Sequence, residues 1–101
     1  EGAEGASLRA GLKSRITQLR NGLRELGKLE AGAGETPIFP FVVGSATAAV
    51  SLCDELLRNG VFCQAIRPPT VEIGKSRLRI ALSALHTEDD VARLLAALER
   101  T

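Results

Sequence analysis

The chain has no tyrosine, no tryptophan and no methionine, with only three phenylalanines, one histidine and two cysteines. Each shortage closes off a class of function. One histidine and two separated cysteines supply no ligand set for zinc, so no metal site is expected. With no serine in a Gly-x-Ser-x-Gly turn, no hydrolytic triad can be assembled around His86, which reads as a helix-entry residue beside Thr87. Gly32 and Gly34 do not follow a strand, which removes the usual phosphate or dinucleotide loop. A net charge of +1 gives no electrostatic footprint for nucleic acid or a membrane surface. No apolar run reaches the roughly 18 residues that span a bilayer and nothing reads as a signal peptide, so the cytoplasm is the expected location. An intact translation product starts with methionine, whereas this chain opens on Glu1-Gly2-Ala3-Glu4-Gly5, as expected of a piece of a longer protein.

What is present suits a small folded domain. Hydrophobic residues make up 45% and charged residues 25% of 101, a balance that argues against disorder and allows one modest core. Cys53 and Cys63 each sit among aliphatic residues and are expected to be buried, reduced thiols. A disulfide is the alternative that a reducing compartment disfavours.

From Ser7 to Glu30, leucine and isoleucine recur every three or four positions (Leu8, Leu12, Ile16, Leu19, Leu23, Leu26, Leu29), the pattern of a long amphipathic helix. Its other side carries Arg9, Lys13, Arg20, Arg24 and Lys28, read as a solvated face with anion or partner contact as the alternative. Ala31 to Pro37 breaks the helix. Ile38 to Val43 reads as a strand, and Pro40, which has no N–H to donate, places it at a sheet edge. Ser45 caps a second helix with the stripe Ala46, Ala49, Val50, Cys53, Leu56 and Leu57, ended by Asn59-Gly60. Val61 to Ile66 is the next strand, and Pro68-Pro69 stiffens the loop after it, with Gly74 at its return. From Arg77 to Ser83 arginine alternates with aliphatics: Leu78, Ile80 and Leu82 share one sheet face, Arg77 and Arg79 the other. Thr87 and the acids after it start a last helix with Val91, Leu94, Leu95 and Leu98 inward.

A right-handed strand, helix, strand unit with the third strand inserted antiparallel between the other two puts Pro40 at an edge. The expected fold is therefore α+β, a small three-stranded mixed sheet covered by helices on one face and preceded by a long helix. Arg77 and Arg79 look out from the uncovered side.

Four runs carry a resemblance: Thr36-Pro37-Ile38 through Val43-Gly44, Ala65-Ile66-Arg67-Pro68-Pro69-Thr70-Val71, Ser76-Arg77-Leu78-Arg79-Ile80, and Ala84-Leu85-His86-Thr87. In this order they resemble the C-terminal segment of the α-oxoamine synthases, pyridoxal-phosphate enzymes of the aspartate-aminotransferase fold. The run Ile66 to Val71 is most like the biotin-pathway member, which condenses alanine with a pimeloyl thioester. The resemblance implies a linker helix and turn over 1–35 and a C-terminal small domain over 36–101. It implies that Arg79 holds the carboxylate of the amino-acid substrate, a task suited to a planar fork of donors on a rigid strand. It places Thr70 at the mouth of the acyl-thioester channel, with Arg67 and the prolines fixing that loop. Glu72 stands where the family commonly has proline. The residues that hold the cofactor and do the chemistry fall in a large domain that this chain does not contain. No catalytic residue and no bound pyridoxal phosphate are therefore expected here, and the isolated chain is expected to be inactive within a parent that is a homodimer. Two other readings use the same residues: a free-standing regulatory or anion-binding module, and a chain whose Leu8 to Leu29 stripe serves oligomerisation.

Overall fold

The structure, a computed structural model, describes residues 2–30 and 32–100, with side chains from residue 9 onward. Six elements follow in order: α1 (Gly2–Glu25), β1 (Ile38–Gly44), α2 (Ala46–Arg58), β2 (Phe62–Ile66), β3 (Ser76–Ala81) and α3 (Glu88–Glu99). They form two compact units, one from Ile38–Ala81 and the other from the described residues of Glu1–Pro37 and Leu82–Thr101.

The first unit is the sheet with α2. Its strand order is β1-β3-β2, with β3 in the centre and Pro40 on an edge strand as its missing donor requires. Both ladders are antiparallel, Phe41 opposite Leu78 on one side and Ala65 opposite Leu78 on the other. The sheet is thus antiparallel rather than mixed: β1 and β2 run the same way but never touch, because β3 separates them. Alternation sorts the side chains. Phe39, Phe41, Cys63, Leu78 and Ile80 are buried on one face, and α2 packs against all three strands.

α2 begins where Ser45 Oγ accepts from the Ala48 N–H at 3.3 Å. Its buried stripe is Ala49, Leu52, Cys53 and Leu56. The expected inward Leu57 is 46% exposed instead, and Leu52 takes its place. The true stripe follows the i, i+3, i+4, i+7 spacing from Ala49, and Leu57 falls one step off it.

The second unit pairs α1 with α3. Leu19 and Leu23 are buried with Val91, Leu94, Ala97 and Leu98. α1 reaches back to Gly2 but stops at Glu25, five residues before the expected Glu30. The cause is Gly27, at φ +72. Its N–H donates to the Arg24 carbonyl and the Lys28 N–H to that of Leu23, the paired bonds of a Schellman cap. Gly60, φ +82, ends α2 with the same pair, Gly60 to Leu57 and Val61 to Leu56. The expected basic row is not uniformly solvated: Lys28, just past the end of α1, donates through Nζ to the Leu98 carbonyl at 3.1 Å near the end of α3, where positive charge is favoured. Leu8 lies outside the described side chains.

α3 opens with a capping box. The Asp90 N–H donates to Thr87 Oγ1 at 3.1 Å, and the Thr87 N–H to Asp90 Oδ2 at 2.8 Å. Among the described residues no helix is long and apolar enough to cross a membrane.

Candidate functional site

The sheet face opposite α2 is built by register. Arg79, in the middle of β3, sits directly across from Pro40 on β1 and Gln64 on β2. Opposed residues in an antiparallel ladder project to the same side, so Arg79, Gln64 and Pro40 form one row. Arg77 lies in the next row between Val42 and Ile66, and Ala81 in the row beyond between Ile38 and Phe62. The result is a guanidinium flanked by Pro40 and Gln64 on a face where Phe62 is 63% and Val42 41% exposed.

The two arginines differ in their bonding. Arg77 is half-buried, and its Nε donates to the Lys75 carbonyl at 3.3 Å, tying it to the loop just before β3. Arg79 is exposed and takes part in none of the side-chain ion pairs found among the described residues, which join Lys75 to Glu72 and Arg93 to Asp89 and Asp90. Its donor fork is open to a ligand.

At the end of β2 the chain enters the proline loop, whose Pro68–Pro69 peptide is cis. The Thr70 N–H donates to the Arg67 carbonyl at 3.1 Å, closing the first turn, and the Lys75 N–H donates to Glu72 at 3.0 Å, closing the second beside Gly74. Residues 64–70 line an open cavity of about 420 Å³. Arg67 also borders a second hollow, of about 450 Å³, with Asp54, Ser51 and Thr47 of α2.

The structure therefore brings Thr70 and Arg67 to one cavity and leaves Arg79 outside its lining. Gln64 joins the two, since it lines the cavity and lies across the ladder from Arg79. Sequence reasoning passed over Gln64. Its signal was present, as the one strongly polar side chain in the run Val61 to Ile66.

His86 takes no part in this face. Its ring Nδ1 accepts from the Ser83 N–H at 2.9 Å while the His86 backbone N–H donates back to the Ser83 carbonyl at 3.1 Å, so it closes the turn ahead of α3. No cluster of three or more metal-ligating side chains occurs among the described residues. The lysines do not fit a cofactor amine site: Lys28 is bonded to Leu98, Lys75 is paired with Glu72 at 3.4 Å, and Lys13 is exposed on α1. None is fully buried in an apolar pocket, the setting an amine needs for Schiff-base chemistry.

A chain with this sheet order has counterparts among known proteins. Residues 1–98 match the aminotransferase class I and II family, and the chain belongs to it. Within that family it is similar to 8-amino-7-oxononanoate synthase of Aeromonas hydrophila, 52% identical over 90 residues that cover 89% of this chain and 22% of that protein. Among solved structures, the serine palmitoyltransferase of Sphingomonas wittichii is 30% identical with a TM-score of 0.74, covering 93% of this chain and 24% of that one. The 8-amino-7-oxononanoate synthase of Francisella tularensis is 26% identical with a TM-score of 0.73, covering 92% and 27%. These are α-oxoamine synthases, as the four sequence runs implied. The fold is that of the C-terminal domain of the fold-type I pyridoxal-phosphate enzymes. The chain spans about a quarter of the length of the relatives it matches.

Proposed function

We propose that this chain is the C-terminal part of a longer pyridoxal-phosphate-dependent α-oxoamine synthase of the 8-amino-7-oxononanoate type. In this reading residues 1–35 are the linker helix and turn, and 36–101 the small domain. The longer protein condenses alanine with a pimeloyl thioester and releases carbon dioxide. Pyridoxal phosphate, held by the large domain of a cytoplasmic homodimer, supplies the electron sink for that chemistry.

The part played by this chain is positioning. Arg79 receives the alanine carboxylate in a bidentate pair, which fixes the orientation of the amino acid before reaction. Thr70 and Arg67 border the entry of the acyl thioester, and the two prolines limit how far that loop can move. The observation that carries the reading is the open guanidinium of Arg79 on a rigid central strand, flanked by Pro40 and Gln64.

The test is Arg79→Ala and Arg79→Lys in the longer protein, assayed with alanine varied at saturating thioester. Loss of a charge-assisted carboxylate pair should raise KM for alanine about 100-fold in the alanine variant, with cofactor content unchanged. The lysine variant should recover only part of the loss, because a point charge cannot supply the fork. Unchanged KM and unchanged turnover would remove Arg79 from the site.

A further inference from the structure

Cys53 on α2 and Cys63 on β2 face each other inside the sheet unit. Their Sγ atoms are 3.2 Å apart, and each lies 3.5 Å from the other's backbone carbonyl oxygen. Both are unbonded thiols, 7% and 3% exposed. We propose that this pair is a modification site, a dithiol that a peroxide closes into an intrachain disulfide joining α2 to β2.

The geometry favours closure within the chain over any other fate. The sulfurs are already in contact at 3.2 Å, and closure requires them to approach to the roughly 2 Å of a disulfide bond. Burial keeps bulky thiols away, so the oxidant proposed is one as small as hydrogen peroxide. One sulfur, as thiolate, attacks a peroxide oxygen and displaces hydroxide, which takes up the thiol proton and leaves as water. The sulfenic acid so formed lies beside the second thiol. That sulfur displaces the hydroxyl, the remaining proton leaves with it as a second water, and the sulfur–sulfur bond forms. Two thiols are oxidised and one peroxide is reduced to two waters. The Cys63 thiol is pushed up to about 12, first by burial and then by its contact with Cys53. Thiolate is therefore scarce at neutral pH, and the pair stays reduced until oxidant is abundant or the seam between α2 and β2 opens.

Closure would act on the candidate site through the backbone, since β2 runs directly into Arg67 and the proline loop. The inference does not depend on the proposed function, because it concerns only the two sulfurs.

Peptide mapping tests it. The purified protein is treated with excess hydrogen peroxide, unfolded in N-ethylmaleimide and digested with trypsin without reductant. Arg58 separates the two cysteines, so a bridge links residues 29–58 to residues 59–75, the Arg67–Pro68 bond resisting cleavage. The expected result is this linked pair, lighter by two hydrogens than the free peptides, on a chain that runs as a monomer and returns to two blockable thiols after reduction. Cys53→Ser should abolish the link. Recovery of both cysteines alkylated, of either as separate sulfinic acid, or of the link only in cross-linked dimers would overturn the proposal.

Discussion

Gly34 and Gly22 show how differently two glycines can be constrained in one unit. Gly34 has φ +98, and a Cβ there would overlap the Cγ and Cδ of Arg20. Gly22 is helical, and its added Cβ would overlap only the end of the Leu95 side chain. Leu95 is half-buried beside an open hollow of about 310 Å³ and can swing aside. Alanine also improves the helix by up to about 1 kcal/mol at that position. Gly34→Ala should therefore destabilise the chain by about 2 kcal/mol, while Gly22→Ala stays within about 1 kcal/mol of the parent. Urea titration of both variants checks the contrast. Of the site residues, Arg79 was legible because strict alternation with Leu78 and Ile80 fixes its face. Gln64 stood out in the sequence as the polar residue of its strand, but its place beside Arg79 did not, because register between strands is invisible in either strand alone.

Helix starts were written more plainly than helix ends. Thr87 followed by Glu88, Asp89 and Asp90 announced α3, and the structure forms the full capping box there. Thr87→Ala should cost about 1 kcal/mol, measured by urea denaturation. Asp90 adds a pH signature. Its carboxyl is held below the ordinary 3.8, chiefly by the hydrogen bond from the Thr87 N–H, with the Thr87 hydroxyl, Arg93 and His86 adding to it and desolvation opposing. A lowered folded value means the stabilisation is present above the ordinary carboxylate range and lost as pH falls through the lowered value. The stability gap between the parent and Asp90→Asn should accordingly close on acidification below that range. The end of α1 was hidden for a physical reason. Leu26 and Leu29 continue the apolar spacing past Gly27, so periodicity alone runs through the cap that stops the helix. At Asn59-Gly60 no such continuation exists, and the same cap was legible.

At the scale of the whole chain, the proposed role is to present an open arginine face of the sheet, with the cofactor assigned elsewhere in the longer protein. The strand order, the antiparallel central strand and the open face followed from Pro40, the right-handed unit and the arginine alternation. With Lys28 and Lys75 engaged and Lys13 on an exposed helix face, the isolated chain should retain no stoichiometric pyridoxal phosphate after desalting. Its visible absorbance measures this directly, and one retained equivalent per chain would contradict the assignment of the cofactor to the large domain. The central place of β3 also fixes an order of events during synthesis. β1 and β2 emerge first but share no ladder, and each can pair only with a strand that ends at Ala81. Until that strand has left the ribosome the sheet has no first hydrogen bond to make, so a chain cut short before Ser76 loses the whole sheet and not merely a third of it.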